Sequence, residues 1–534
     1  MYSRHKRRVL CLLLVLACTG SALAELQNVQ VGGEIRIRGN FITNGLVRTT
    51  FMGIPEVRWP ASLLTGRPIG GPGAAGGFNG LGIVSPVKWS DTDGGDVGFV
   101  EQRTRLNINA DFTDDVSAFI EFDSYDIWGQ DFRSLNYITG ADSPGWTGDD
   151  VEVYQSYIEA ENMFDLPLRL RVGRQELSFG SEWLVGPKDY VYFFYGRSFD
   201  GARLTYKTDT FSVDAFAAEL AEGGPFEEDE DVWFYGLYAS CTAIENHTFD
   251  LYWLWLRDAR RVADTNLAWF GEWVEDLFNI DDYDPTNLHT VGFRASGLIG
   301  ALDYEVEAAY QFGDAGQVGT TFKPFVYGDD DAEFDTWGGH FDVGYTFDVA
   351  WKPRPFIGGA YFGGEDNRDI SFWEWLNPFD QPEASVSFNR LFSNSMYCGA
   401  IDAFNDLSNC WLGRAGVVVH PTPAFDVILA ATYFEAIEPF DAPVHFKVGR
   451  YRIPIAPALS FWTQENSDEI GWDTSIFVVY HYSEDVTCTF QYSRFWVGDG
   501  VADGAFIYNN GLIFSGGRDD KDADFLAAEM RIKF

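Results

Sequence analysis

Cysteine, methionine and histidine are scarce in this 534-residue chain, at six, five and seven residues. No CxxC pair and no Cys/His metal spacing occurs, which removes zinc ribbons and dithiol redox motifs. None of the histidines lies in a GxSxG or HExxH context, so the common hydrolase and metalloprotease sites are missing and no catalytic residue is assigned. Basic residues number 38 against 80 acidic ones, a net charge of −42, and nucleic-acid binding needs the opposite balance. Beyond the N-terminus there is no run of ~18 apolar residues, so no helix is expected to cross a membrane. Helical periodicity is rare as well; its one candidate is the short amphipathic stretch 266–280.

What is present starts with a leader. "MYSRHKRR" is a basic segment, "VLCLLLVLA" a short apolar one, and "ALA" (22–24) a small-x-small cleavage site, which together read as a secretory signal peptide over 1–24. A lipoprotein-type cleavage before Cys18 is the alternative. Either way one domain, 25–534, is exported. Cys398 and Cys410 bracket the polar stretch "CGAIDAFNDLSNC" and are spaced to close a disulfide loop in an oxidising compartment, the other reading being two thiols.

The dominant pattern is alternation. Strand-like segments are read at 34–38, 99–112, 116–128, 151–161, 166–175, 199–208, 210–220, 232–243 and 247–258. They continue at 288–299, 301–313, 340–350, 354–364, 412–420, 424–436, 469–482, 485–498 and 522–534. Most are close to the ~9–11 residues that a tilted strand needs to cross a bilayer. After a long first gap the connections run short, long, short, long to the end of the chain. A soluble sandwich has no reason to put its long loops at one end, whereas a transmembrane barrel has short periplasmic turns and long extracellular loops. The expected fold is therefore all-β: an up-and-down antiparallel barrel of about 18 strands in the outer membrane of a Gram-negative-type bacterium, closed so that every backbone group is paired in lipid.

If the apolar alternates face lipid, the others face the lumen. Arg36, Arg38, Arg103, Arg105, Arg169, Arg171, Arg203, Arg294, Arg414, Arg494 and Arg531 fall inside strands, opposed by Glu34, Glu121, Asp123, Glu305, Glu307, Asp342 and Glu529. A lipid-facing arginine would cost ~2–4 kcal/mol at the bilayer midplane. Two uses stay open: ion-pair ladders that brace a wide barrel, or an anion-guiding constriction built from bidentate guanidinium groups. The acidic surplus collects in loops such as 227–231, 281–284 and 329–335. Ca²⁺ binding or divalent bridging to lipopolysaccharide is conceivable there, but without EF-hand spacing, and no cofactor is otherwise implied. Tyr125, Trp128, Tyr252, Trp253, Trp255, Phe495 and Trp496 are read as interfacial girdle residues.

"LRLRVGRQELSFG" (168–180) followed by "RSFDGARLTY" (197–206) resembles the signature region of the alginate-export family of outer-membrane proteins. The resemblance implies a monomeric eighteen-stranded porin with an electropositive constriction that passes a hydrophilic anion, an acidic sugar or a polyuronate such as alginate. It also implies that Arg171, Arg174, Gln175, Asp200 and Arg203 belong to the pore network. Arg174 departs from strict alternation, because it shares the parity of Val172, and an inward position needs a bulge or the strand end to intervene. The competing function is a structural or adhesive surface barrel with a plugged lumen. Finally, the chain ends on an alternating strand whose last residue is Phe534. A terminal aromatic of this kind resembles the signal read by the barrel-assembly machinery.

Overall fold

In the computed structural model the eighteen alternating segments become eighteen strands of one closed antiparallel sheet. The structure describes residues 26–48, 96–113, 115–128, 151–187, 196–222, 231–259, 285–314, 332–364, 387–399, 407–438, 467–500 and 521–534, with short strand segments between them. The leader, the Cys18 alternative, the 266–280 stretch and the acidic segment 281–284 lie outside these residues.

The first nine strands are β1 (Asn28–Thr43), β2 (Val97–Thr113), β3 (Val116–Ile127), β4 (Glu152–Ala160), β5 (Leu168–Gln175), β6 (Phe199–Lys207), β7 (Phe211–Ala221), β8 (Val232–Cys241) and β9 (His247–Asp258). The second nine are β10 (Thr286–Ile299), β11 (Leu302–Asp314), β12 (Ala332–Tyr345), β13 (Arg354–Phe362), β14 (Cys410–Thr422), β15 (Phe425–Ala436), β16 (Glu469–His481), β17 (Val486–Val497) and β18 (Ala523–Lys533). Each pairs with its neighbours in sequence, and β1 pairs with β18 from Glu34↔Lys533 to Thr43↔Asp524, which closes the barrel. Strand β12 starts eight residues earlier than its alternation suggested and ends at Tyr345. Residues 346–353 form the turn instead, with Trp351 and Lys352 in the left-handed region at φ 69° and 41°.

The pleat sorts the side chains. In β9, Asp250, Tyr252, Leu254, Leu256 and Asp258 are buried inside, while Leu251 is exposed on the outer face. Away from the seam strands, many inward residues nearer the long-loop end are apolar. Phe216, Phe234, Leu254, Leu256, Leu288, Phe334, Phe362, Phe434 and Phe495 line that end and belong to one buried cluster. An apolar core of this size inside a barrel needs something to cover it, since a lumen open to water would leave it hydrated.

The seam carries a close backbone approach. The Gly33 amide donates to the Phe534 carbonyl at 2.9 Å, and the Phe534 amide donates to the Gly33 carbonyl at 3.1 Å. The Phe534 ring lies over the glycine. A Cβ on residue 33 would stand 2.7 Å from that ring and 2.7 Å from the Arg105 carbonyl oxygen, so only glycine fits.

Candidate functional site: an arginine-walled lumen narrowed by two inward loops

The seam strands carry the densest charge. On β1, Glu34, Arg36, Arg38 and Asn40 are all buried and point inward. Arg531, Arg36 and Arg103 are direct cross-strand neighbours on β18, β1 and β2. Like charges placed opposite one another repel, and here carboxylates interleave with them. Glu529 takes Arg36 in bidentate fashion, from Nε at 3.2 Å and Nη2 at 2.8 Å. Glu34 accepts from both Arg103 and Arg531. Glu101 accepts from Arg38 Nε at 2.7 Å, and also from Asn40 and from the Tyr125 hydroxyl at 3.0 Å. Arg105 pairs with Asp123 at 2.8 Å and stacks on Tyr154 at 3.8 Å.

The ladder continues around the wall. Glu159 holds Arg171 at 2.6 Å and Arg169 at 3.8 Å. Arg203 faces Arg171 in register and pairs with Asp214 at 2.8 Å. Arg294 reaches Asp250 at 2.8 Å and Glu305 at 2.6 Å, and His340 lies 3.4 Å from Glu307. Arg354, which the sequence reading passed over, bridges Asp303 and Asp342. Arg414 differs from these. It points inward over the Phe356 ring at 5.0 Å, and among the described residues no carboxylate lies within ion-pairing distance of it. Gln175 is buried inside and donates to the Gly173 and Gly201 carbonyls.

Two loops from the long-loop end fold onto the apolar half of the wall. The first, 176–187, buries Leu177, Phe179, Trp183, Leu184 and Val185; the second, 387–399, buries Phe388, Asn389, Arg390 and Phe392. Trp183 is 1% exposed and rests against His340, Phe362 and Phe388. The loops join through a parallel bridge between Val185 and Phe392. The Phe392 amide donates to the Leu184 carbonyl at 2.8 Å, and the Gly186 amide to the Phe392 carbonyl at 2.9 Å. Gly338 on β12 leaves room for the Phe388 ring, which would stand 2.6 Å from a Cβ there.

One side chain of the wall grips the backbone of the second loop. Gln311 of β11 donates to the Asn389 carbonyl and accepts from the Asn389 amide, both at 2.7 Å. Gln311→Ala leaves two buried backbone groups unsatisfied, at roughly 1–3 kcal/mol each. The expected outcome is faster trypsin nicking after Arg390 in the folded barrel. Nicking at the wild-type rate would mean that the clamp does not hold the loop.

Several sequence expectations are corrected. Arg174 and Asp200 sit on the outer face, not in the lumen, and form an exposed bidentate pair at 2.8 and 2.9 Å. Strict alternation holds through β5, and the bulge lies in β4 instead, where consecutive Tyr154 and Gln155 are both buried. Arg494 is also outside, stacked on Trp496 at 4.6 Å and paired with Asp522 at 2.8 Å, because Gln491, Ser493 and Phe495 take the inward parity of β17. Tyr252 and Phe495 are buried within the lumen, and Tyr125 bonds an inward carboxylate, so these three are not girdle residues. Cys398 and Cys410 are buried thiols rather than halves of a disulfide, and Cys398 Sγ donates to Asp473 at 3.4 Å. Of the acidic loop residues, Asp231 joins Glu219 and Glu222 in a group whose carboxylate oxygens lie within 4.8 Å of one another. Glu333 and Asp335 fall within strand β12.

Sequence reasoning missed the inward loops. Their trace was "EWLVG" (182–186) and "FNRLF" (388–392), apolar residues in stretches that alternation assigned to solvent-facing loops. A loop rich in Trp, Leu and Phe must bury them somewhere.

No curated protein matches the chain in sequence. Among solved structures it is similar to Acinetobacter baumannii OccAB1, at 12% identity and a TM-score of 0.47 over 94% of this chain and 96% of that one. It is also similar to Pseudomonas aeruginosa OccK11 (OpdR), at 8% identity and a TM-score of 0.46 over 94% of this chain and 96% of that one. The family pattern described as alginate export matches residues 90–510, most of the chain. With its closed eighteen-stranded barrel, the chain belongs to the alginate-export family of Gram-negative outer-membrane proteins.

Proposed function

We propose that the barrel is a channel for a hydrophilic anion, an acidic sugar or a polyuronate such as alginate. The protein is an outer-membrane channel by family and fold, and the anion is the finer step. What supports it is the row Arg531–Arg36–Arg103, three guanidinium groups side by side in register. Simple bracing of a barrel needs alternating charges, not three like ones abreast. Carboxylates already hold these groups, so an incoming carboxylate exchanges one partner for an equivalent one along the wall. Arg414 adds an inward cation without a competing carboxylate among the described residues. In this reading the channel is a monomer among outer-leaflet lipopolysaccharide, delivered by the barrel-assembly machinery through Phe534. Planar bilayers with asymmetric KCl test it: the expected reversal potential is that of an anion-preferring pore, reduced in Arg414→Gln. Strong cation preference would sink the anionic solute.

The second reading, a structural or adhesive barrel with a closed lumen, is favoured by one observation, the apolar packing of both inward loops against the wall. A correctly folded sample that never conducts would support it over the channel.

A further inference from the structure

Glu182, on the first inward loop, differs from the seam acids Glu34, Glu101 and Glu529, each of which holds an arginine. Its backbone is in the left-handed region at φ 63°, a conformation that a non-glycine residue keeps only where its surroundings over-determine it. Its carboxylate pairs with no cation among the described residues. It accepts instead from the Ser178 hydroxyl at 2.5 Å and, across the gap between the loops, from the Asn394 side-chain amide. Its carbonyl takes the Asn394 backbone amide at 2.9 Å. The Gly186 Cα lies wedged between these two side chains, where a Cβ would meet those of Asn394 and Glu182 at 2.7 and 2.8 Å.

Among the described residues the other hydrogen bonds between the loops join backbone to backbone, and the rest of their contact is apolar packing. The Glu182–Asn394 contact is charge-assisted and directional, and it sits beyond the Val185–Phe392 bridge at the crest of the pair. We propose that Glu182 is a positioning residue that locks the two loops into one body, and that this lock sets the width of the passage between the loops and the arginine wall. The proposal rests on the channel reading only for its conductance arm. With the lock closed, loop 387–399 is held against the wall by Gln311 and against loop 176–187 by Asn394. With it open, the loops keep their backbone pairing at Leu184, Gly186 and Phe392 but lose the side-chain contact beyond the bridge, and the 388–394 end of the second loop loosens against the first.

The test is a charge swap. Asn394→Asp sets two carboxylates against each other, and Glu182→Gln combined with Asn394→Asp restores an amide–carboxylate pair with its direction reversed. Backbone hydrogen exchange over 388–394, in barrels whose heat-modifiable migration is normal, reads the lock without needing conduction. Exchange is expected to speed by about tenfold or more in Asn394→Asp, since a hydrogen bond to a charged group is lost, and to return towards wild type in the swap. Single-channel conductance is expected to rise and fall in the same order. Unchanged exchange in Asn394→Asp, or no recovery in the swap, overturns the lock. Exchange that follows the expected order while no variant conducts keeps the lock and instead overturns the channel reading. Normal conduction with unaltered exchange overturns the lock and leaves the channel standing.

Discussion

Gly33→Val leaves the barrel open. The new side chain meets the Phe534 ring on one side and the Arg105 carbonyl on the other, each at 2.7 Å from the Cβ position. A flexible side chain could yield, but a backbone oxygen in the β1–β2 ladder cannot without breaking pairing. Slipping the seam by one residue offers no escape, because it turns every side chain of β1 to the opposite face. Arg36 and Arg38 would then enter lipid at ~2–4 kcal/mol each near the midplane. The measurement is the fraction of heat-modifiable, folded protein in outer membranes, expected to fall to a small remainder. A wild-type fraction would show that the seam closes in another way. Phe534→Ala is the milder companion: it removes the ring over Gly33 and the lipid-facing terminus but keeps the backbone pair.

Glu34→Gln produces the second large effect, this time on stability rather than assembly. Glu34 is 7% exposed and accepts from both flanking members of the arginine row. Neutralising it leaves Arg103 and Arg531 without the charge between them, beside an Arg36 that is itself 1% exposed. Breaking a buried pair by removing one partner costs about 3–5 kcal/mol, and here one substitution breaks two pairs. The expected result is a large drop in the urea midpoint of the barrel in detergent, well beyond that of Arg531→Gln, whose side chain is 28% exposed. Equal shifts in the two variants would mean that Glu34 is not the anchor of the row.

Much of the barrel was legible because alternation is a strong signal where one face meets lipid. All eighteen strands overlap the segments that the period-two pattern marked, and β1 runs longer, through a polar start at Asn28 that no lipid pattern marks. Strand β12 was misplaced because Glu333 and Asp335 look like loop residues. They project outward at the long-loop end, where Asp335 accepts from the Tyr310 hydroxyl at 2.7 Å. The lumen arginines were legible for the same reason, with two instructive failures. Arg174 followed its parity rather than its motif, so periodicity was the better guide. Arg494 was ambiguous because both parities of "TFQYSRFWVG" carry aromatics, and only the neighbouring strands decide which set turns inward. The inward loops had no period at all. Their placement depends on contacts between 176–187 and 387–399, some two hundred residues apart, and local pattern carries no such information.

The two inward loops also put two kinds of thermodynamics into one chain. The wall is held in lipid by backbone hydrogen bonds that have no water to compete with them. The core around Trp183, Phe388 and Phe392 is instead packed like a small soluble domain, and its cohesion comes from removing apolar surface from water. That driving force weakens on cooling, whereas the wall's does not. A single polypeptide therefore has a shell and an interior that respond differently to cold, and the interior is the part that loosens first.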